Sequence, residues 1–255
     1  MLDVWEVAIP VLTGDRKRRA YVCLPDGYFD DEEKRYPVLY MFDGHNLFSD
    51  AEATYGKCWG LSEYMSATRT QLIIAAVECD REGNGRLSEY SPVDFAYKDS
   101  VTVKGRGKKY MDWLVGTFKP YIDGNLRTLP DRAHTAVAGS SMGGLMTVYA
   151  LGKYNKYFSR GAALSPSLWV YGDKLAEAIG KYRFAKDTVL YMDYGSREFD
   201  AAGLRKSSFC TATSALIQKG VNVTARIVAG GTHSEASWER QIPFFMQVLG
   251  FNNKE

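Results

Sequence analysis

A serine flanked by glycines is the strongest chemical signal in the sequence. Residues 138–144 read AGSSMGG and contain the pattern G-x-S-x-G centred on Ser141. This pattern predicts a nucleophile on a sharp turn between a strand and a helix, with its hydroxyl projecting from the sheet. Gly139 and Gly143 suit the turn, because it brings their backbones close to other atoms and glycine has no Cβ. Ser140 is a weaker candidate, since it lacks glycines two residues away on both sides.

A serine nucleophile needs a general base, and histidine is the usual base at neutral pH. The chain has three histidines, His45, His134 and His233. His134 begins the strand that leads to Ser141, so we expect it at the opposite end of that strand. His45 precedes the nucleophile, whereas the order for this type of turn is serine, acid, histidine. His233 follows the last predicted strand, after two glycines that let the loop bend back, and is the candidate base.

The acid that orients the histidine should follow the strand between Ser141 and His233. Three carboxylates compete there: Asp193, Glu198 and Asp200. Asp193 falls within the predicted strand, whereas Glu198 falls on the turn beyond it, where a carboxylate can reach Nδ1 of the histidine. Such a carboxylate fixes the tautomer and stabilises the imidazolium. Glu198 is therefore our candidate acid, with Asp200 as the alternative.

The oxyanion formed on an ester carbonyl needs two N–H donors. One is expected from the residue after the nucleophile, Met142, and the other from the loop after the third strand. That loop reads DGHNLF over residues 43–48. Glycine permits the close backbone approach that such a donor requires, so Gly44 or His45 could supply it, and the sequence leaves both open.

Strands and helices alternate along the chain, which predicts the α/β class with a mainly parallel central sheet covered by helices on both faces. We expect one domain over residues 1–255. The predicted strands are 5–9, 19–24, 36–42, 73–77, 135–138, 161–164, 189–193 and 221–228, and the predicted helices are 110–122, 143–153, 204–219 and 236–249.

The segment 80–107 is the one long stretch for which we predict no regular structure. It follows a central strand and contains several glycines and a proline. Long loops inside compact domains are usually functional or disordered. We therefore expect this segment over the carboxyl edge of the sheet, where ligands bind in open α/β folds.

The net charge and the hydropathy pattern bear on the partners and the location to be expected. The formal net charge is only +2, which gives no electrostatic case for nucleic acid or an anionic membrane as partner. No apolar run approaches the roughly 18 residues needed to span a bilayer. The first residues lack a basic region followed by an apolar one, so we expect no secretory signal and a cytoplasmic location.

The four cysteines, Cys23, Cys58, Cys79 and Cys210, are far apart and form no C-x-x-C pair. Each is in or beside an apolar segment, which predicts reduced thiols that serve as small core residues. The scattered histidines give no H-E-x-x-H or similar spacing of metal ligands. We therefore expect no metal and no cofactor.

An ordered set of motifs resembles the esterase D-like family, which includes enterochelin esterase-like hydrolases and feruloyl or acetyl xylan esterases. The resemblance runs from about residue 18 to about residue 249 and implies the α/β-hydrolase fold and a cofactor-free serine hydrolase. Position by position it implies Ser141, Glu198 and His233 as the triad, although many relatives carry aspartate where this chain has Glu198. The motifs are YMFDGHNLF (40–48), RLSEYSP (86–92), AGSSMGG (138–144), SPSLW (165–169), YGSRE (194–198) and GGTHSEASW (230–238).

The expected reaction is hydrolysis of a carboxylic ester through an acyl-enzyme, on a small-molecule aryl, feruloyl, acetyl-sugar or siderophore-type ester. Acyl transfer by the same triad and a non-catalytic binding module on a hydrolase scaffold are the alternatives, and the oligomeric state stays open. Aromatic and charged residues on loops near the active edge could contact substrate. These residues are Trp59, Arg86, Tyr90, Trp169 and Tyr171, with Glu89 as a further polar group or a partner of Arg86.

Overall fold

The computed structural model describes residues 1–97, 101–199 and 203–250. Its ten strands are β1 (Leu2–Ala8), β2 (Lys17–Cys23), β3 (Val38–Met41), β4 (Ile73–Val77), β5 (Phe95–Tyr97), β6 (Val101–Val103), β7 (Thr135–Ser140), β8 (Arg160–Leu164), β9 (Val189–Gly195) and β10 (Asn222–Val228). Eight of these strands form one sheet in the order β1-β2-β4-β3-β7-β8-β9-β10, and β5 and β6 form a separate hairpin.

The large sheet is mainly parallel. Strands β1 and β2 pair antiparallel, as do β2 and β4. All the other pairs, from β4 and β3 to β9 and β10, are parallel. The predicted α/β class is therefore confirmed, and the carboxyl ends of β3, β7, β8 and β9 meet at one edge of the sheet. The prediction of a single domain over residues 1–255 stays a prediction.

Helices cover both faces of the sheet. They are α1 (Pro10–Thr13), α2 (Leu61–Thr68), α3 (Gly85–Glu89), α4 (Gly107–Trp113), α5 (Lys119–Asn125), α6 (Met142–Lys153), α7 (Leu175–Gly180), α8 (Leu204–Gln218), α9 (Glu235–Glu239) and α10 (Ile242–Leu249). Successive residues of β3 alternate between two apolar layers, Val38 and Tyr40 in one and Leu39 and Met41 in the other. This explains the nearly continuous apolar run predicted as a central strand, because both of its faces are buried.

The predicted elements are present, with shifts at their ends. The first strand is β1 rather than residues 5–9, and the short helix α1 lies between β1 and β2. That helix ends at Thr13 and is followed by Gly14, where φ is 59°. The predicted helix 110–122 is part of a longer helical run, in which a π-helical turn over Leu114–Phe118 joins α4 to α5.

The prediction that segment 80–107 is irregular is wrong in part. It contains α3, the hairpin of β5 and β6, and the start of α4. The helix α3 and the two strands have only three to five residues each, and α4 has a single residue within the segment, too few to show a periodic apolar pattern. Helix α2 was not among the predicted helices, although its buried positions, Leu61 and Met65, have helical spacing.

The cysteine prediction holds for three positions and is wrong for the fourth. Cys23, Cys58 and Cys79 are buried, whereas Cys210 on α8 is exposed. An apolar neighbourhood in sequence does not fix which face of a helix a residue occupies, and position 210 points outward. In the part of the chain that the structure describes, no helix is long and apolar enough to cross a membrane.

Candidate active site

The turn that carries Ser141 has the geometry that its sequence predicts. Strand β7 ends at Ser140, α6 begins at Met142, and Ser141 between them has φ 58° and ψ −119°. A Cβ added to Gly139 would lie 2.9 Å from the carbonyl carbon of Gly143, and one added to Gly143 would lie 2.9 Å from Cβ of Phe42. Both positions therefore require glycine. Backbone strain of this kind persists only where the surroundings hold it.

Neighbouring backbone fixes the nucleophile turn at the sheet edge. The N–H of Ser141 donates to the carbonyl of Leu164 at 2.9 Å, and the N–H of Ser167 donates to the carbonyl of Ser141 at 2.9 Å. The Ser141 hydroxyl lies 3.4 Å from that of Ser167. Ser141 and His233 line the same cavity of about 190 Å³. Among the described residues, the hydroxyl of Ser141 makes its side-chain hydrogen bond to Ser167 and not to His233, a looseness common in sites without substrate.

The candidate base and acid are in direct contact. Nδ1 of His233 lies 2.7 Å from Oε2 of Glu198, which is on a 3₁₀ turn directly after β9. The two loops pack backbone against backbone, because a Cβ on Gly195 would lie 2.3 Å from the carbonyl carbon of Gly231. The N–H of Arg197 also donates to the Gly231 carbonyl at 3.0 Å. The glycines at 195 and 231 thus allow the acid turn to reach the histidine loop.

Glu198 is buried and accepts three hydrogen bonds. Its Oε1 accepts from the hydroxyl of Ser165 at 2.6 Å and from the N–H of Gly195 at 2.8 Å, while Oε2 faces His233. Burial alone would raise the pKa of Glu198, but the hydrogen bonds from His233, Ser165 and Gly195 outweigh it and hold the pKa below its ordinary value. The carboxylate is therefore charged at neutral pH, as an acid that stabilises an imidazolium must be.

The competing carboxylate that the structure describes faces elsewhere. Asp193, at the end of β9, accepts from the hydroxyl of Tyr191 at 2.8 Å and from the N–H of Ser165 at 3.3 Å. Burial raises its pKa to about 7. Asp193 thus bonds to Ser165, which itself donates to Glu198, and the structure gives Asp193 no contact with His233 among the described residues. The other alternative, Asp200, lies outside the described residues.

The loop after β3 comes close to the nucleophile turn. Asp43 has φ 59°, and a short 3₁₀ turn follows over Gly44–Asn46. A Cβ on Gly44 would lie 2.6 Å from the ring of Tyr21, so glycine is required there for packing. The imidazole of His45 is buried against Thr54, with Nε2 at 3.0 Å from its hydroxyl, and burial lowers its pKa. His45 can therefore serve as an oxyanion donor only through its backbone N–H. The backbone N–H groups of Gly44 and Met142 stay the other predicted donors.

An arginine of the long segment holds this loop. Nε and Nη2 of Arg86 donate to the two carboxylate oxygens of Asp43, each at 2.7 Å. The hydroxyl of Tyr90 accepts from the N–H of Asp43 at 3.2 Å. Burial would raise the pKa of Asp43, but the charge and hydrogen bonds of Arg86 lower it overall. Segment 80–107 therefore acts on the site through the loop after β3.

The predicted substrate contacts divide into two groups. Arg86 and Trp169 line the cavity. Trp59 and Tyr90 do not, because they are 2% and 0% exposed and pack in the core. For these two residues the prediction is wrong, since aromatic residues on loops look alike in sequence whether they are buried or not.

The remaining polar predictions also need correction. Glu89 is buried and pairs with Arg18, with 2.7 Å between Oε2 and Nη1, and not with Arg86. The hydroxyl of Tyr171 lies 2.6 Å from that of Tyr182, and these two residues line a different cavity.

Three residues near the triad were not singled out from the sequence. Ser165, Ser167 and Arg205 line the cavity with Ser141 and His233. The motif SPSLW contained a signal for the two serines, but nothing in the sequence showed that it returns to the nucleophile turn. The contact depends on the pairing of β8 between β7 and β9.

One buried group in the described part of the chain has the composition of a metal site. Ligand atoms of Asp43, His45 and Cys79 lie within 4.8 Å of one another. Both oxygens of Asp43 already accept from Arg86, so a cation would have to displace a guanidinium. These residues do not fit a resident metal, and the expectation of no metal stays a prediction.

Comparisons with known proteins give a family match over most of the chain. Residues 13–246 match the family model Esterase, described as "Putative esterase". A protein of Bacillus subtilis (strain 168), "Uncharacterized protein YbbA", is 28% identical over 184 residues, which are 71% of this chain and 69% of that protein.

Solved structures share the fold. An IroE-like serine hydrolase from Shewanella oneidensis is 21% identical with a TM-score of 0.74, over 98% of this chain and 79% of that one. A ferulic acid esterase from the fungus Anaeromyces mucronatus is 20% identical with a TM-score of 0.67, over 99% of this chain and 92% of that one. At these identities the likeness shows the α/β-hydrolase fold.

Proposed function

Because the chain belongs to the Esterase family and is a carboxylic ester hydrolase, we propose that it cleaves its ester with Ser141, His233 and Glu198 through an acyl-enzyme. One observation carries the proposal: the strained Ser141 turn opens into the same cavity as an imidazole whose Nδ1 is 2.7 Å from a buried carboxylate. This grouping supports the roles of nucleophile, base and orienting acid that acyl transfer uses.

In the proposed mechanism, neutral His233 takes the proton of Ser141 through Nε2 as the serine oxygen attacks the ester carbonyl. Glu198 holds the imidazole by Nδ1 and stabilises the positive charge that forms on it. The N–H of Met142 stabilises the oxyanion, because the first N–H groups of a helix have no acceptor within it. The N–H of Gly44 or His45 supplies the second donor.

Collapse of the tetrahedral intermediate breaks the bond to the alcohol, which leaves with the proton from His233. A water molecule then attacks the acyl-enzyme, and His233 accepts its proton. The acid is released and Ser141 recovers its hydrogen from the histidine. Both half-reactions use only the serine, the histidine, the carboxylate and water.

The cavity restricts what the acyl group can be. Its volume of about 190 Å³ is below the ~300–1,000 Å³ of sites that enclose a whole drug-sized ligand. We infer that it takes one arm of an ester while the alcohol stays outside. Trp169 and Tyr97 supply aromatic walls and Arg86 and Arg205 supply polar donors. These groups suit an aryl, feruloyl or catechol-type acyl group, with acetyl sugars as smaller alternatives.

The first test is covalent labelling combined with turnover. A fluorophosphonate should modify wild-type protein at Ser141, located by mass spectrometry. Ser141→Ala should prevent labelling and lower kcat on nitrophenyl esters about 10⁴–10⁶-fold, because a triad without its nucleophile retains only binding and oxyanion stabilisation. A panel of cinnamoyl sugars and catecholate lactones then identifies the acyl group.

The matched control is Ser140→Ala, which removes the neighbouring hydroxyl from the end of β7. It should retain both labelling and turnover. The proposal is wrong if Ser141→Ala keeps a tenth of wild-type turnover, or if the label maps to another residue.

A further inference from the structure

Two buried side chains behind Glu198 have no part in the mechanism above. The hydroxyl of Ser165 donates to Oε1 of Glu198 at 2.6 Å and accepts from Nε1–H of Trp238 at 2.9 Å. Ser165 is 1% exposed and Trp238 is 5% exposed. Since an indole N–H can only donate, the hydroxyl must use its single hydrogen on the carboxylate. The direction of both hydrogen bonds is therefore fixed.

The backbone of Ser165 is held in an unusual conformation to make these contacts. Its φ is 44°, in the left-handed region that residues other than glycine rarely adopt. The N–H of Ser165 donates to the carbonyl of Asp193 at 2.9 Å, and Oδ1 of Asp193 lies 3.3 Å away. The hydroxyl of Tyr191 donates to the other oxygen of Asp193. Strain that a buried network maintains in this way is a pointer to function.

Trp238 also contacts the base. Its ring meets that of His233 edge to face, with 5.1 Å between centroids and 82° between planes. One indole therefore touches His233 directly and Glu198 through Ser165. A glutamate has one more rotatable bond than an aspartate, so its carboxylate loses more conformational freedom when it is fixed. A contact that holds the second carboxylate oxygen therefore improves the positioning of a glutamate more than that of an aspartate.

We propose that Ser165 and Trp238 are positioning residues for the catalytic pair. Ser165 fixes Oε1 of Glu198 so that Oε2 stays directed at Nδ1 of His233, and Trp238 orients both the serine hydroxyl and the imidazole ring. The inference rests on the proposed function, because it assigns these residues their effect through the triad.

The experiment compares Ser165→Ala, Trp238→Phe and the double variant with two matched controls. Ser159→Ala removes another buried hydroxyl, which contacts the carbonyl of Ala133. Trp59→Phe makes the same indole-to-phenyl change in the neighbouring ring, 5.9 Å from Trp238. Each is assayed for kcat and KM on a nitrophenyl ester, for the rate of fluorophosphonate labelling, and for urea stability.

We expect Ser165→Ala to lower kcat about 10–100-fold with KM within about 2-fold, because a misdirected carboxylate affects proton transfer and not substrate binding. Trp238→Phe should lower kcat by a smaller factor, since the phenyl ring still covers His233. The double variant should be no slower than Ser165→Ala, because both changes interrupt one path. The controls should retain wild-type kcat.

A pH profile separates positioning from loss of folded protein. Without the hydroxyl of Ser165, Glu198 loses one of the hydrogen bonds that stabilise its charged form. The less stabilised carboxylate holds the imidazolium proton more strongly, so less of His233 is neutral and able to act as the base at a given pH. The acid limb of kcat/KM should therefore move to higher pH in Ser165→Ala. The other groups that face Glu198, namely His233, Asp193, Tyr194 and the Arg205 guanidinium on the Glu198 carbonyl, are unchanged in this variant.

The inference is overturned if Ser165→Ala and Trp238→Phe match their controls in kcat with an unmoved acid limb. If Ser165→Ala does not fold, Trp238→Phe decides alone: kcat equal to that of Trp59→Phe overturns the inference. A wild-type protein that neither labels nor turns over would instead overturn the proposed function.

Discussion

Two buried carboxylates, Glu198 and Asp43, lie on opposite sides of the Ser141 turn, and each is 4% exposed. In both, burial acts to raise the pKa and is outweighed, in Glu198 by hydrogen bonds and in Asp43 by the charge and hydrogen bonds of Arg86, so that both remain charged. Their partners differ. Glu198 faces the imidazole of His233, whereas Asp43 accepts two hydrogen bonds from the guanidinium of Arg86.

The difference in partner separates two roles that the same chemical group can have. A histidine can gain and lose its charge near neutral pH, so the charge of Glu198 is available for an imidazolium that exists only during the reaction. An arginine stays charged, so the charge of Asp43 is permanently neutralised by Arg86. Asp43 can then affect catalysis only by where it holds the backbone of the following residues. Substitutions that break the Glu198–His233 contact or the Asp43–Arg86 contact test this distinction.

The largest effect should come from Glu198→Gln. The amide keeps the volume of the side chain but removes the charge that stabilises the imidazolium, and we expect kcat to fall about 10²–10⁴-fold, by analogy with other triads. Steady-state kinetics on a nitrophenyl ester, with KM measured separately, check this. The matched control is Glu89→Gln, which neutralises a buried carboxylate that pairs with Arg18. It should retain kcat per folded molecule.

Asp200→Asn sharpens the same prediction. We expect it to have much less effect than Glu198→Gln, because the contact at 2.7 Å from Nδ1 of His233 is made by Glu198. The reverse order of the two variants would make Asp200 the acid and would end the assignment of Glu198.

A smaller effect should follow from Arg86→Lys. A lysine cannot make the two parallel hydrogen bonds to Asp43, so the loop that carries Gly44 and His45 should lose its fixed position. Because loss of an oxyanion donor costs about 10²–10³-fold at most, we expect a fall in kcat of about 10–100-fold. Circular dichroism, and kcat and KM measured separately in variant and wild type, check this prediction.

The matched control is Arg106→Lys. Arg106 donates to the carbonyls of Val11 and Leu12 and so holds another part of the same segment. It should leave kcat unchanged. If Arg86→Lys instead raises KM and leaves kcat alone, Arg86 acts only as a donor to the substrate and does not position the oxyanion loop.

Sequence reasoning identified the triad candidates because their signals are local. The Ser141 turn requires glycines at fixed positions, and His233 and Glu198 follow strands in an order that the fold imposes. It could not place Ser165 against Glu198 or Trp238. Those contacts join residues 33 and 73 positions apart and depend on strand order in the sheet. The prediction that Trp59 contacts substrate was wrong for a related reason. Only the packing of Phe245 in α10 against its ring shows that Trp59 is buried.

The least perturbing comparison between the two carboxylates is the pH dependence of stability. Both have folded pKa values below the ordinary 4.5 of glutamate and 3.8 of aspartate. A carboxylate of this kind contributes stability that is present above its unfolded pKa and is lost as the pH falls through its folded pKa. The wild type should therefore lose stability below about pH 4.5.

The variants Glu198→Gln and Asp43→Asn carry amides that cannot be protonated in this range. Each variant should therefore lose less stability than the wild type between neutral pH and about pH 3.5. Urea midpoints at the two pH values, with exposed Glu32→Gln as control, measure the difference. A loss in both variants equal to that of wild type would mean that neither carboxylate is held charged by its partner.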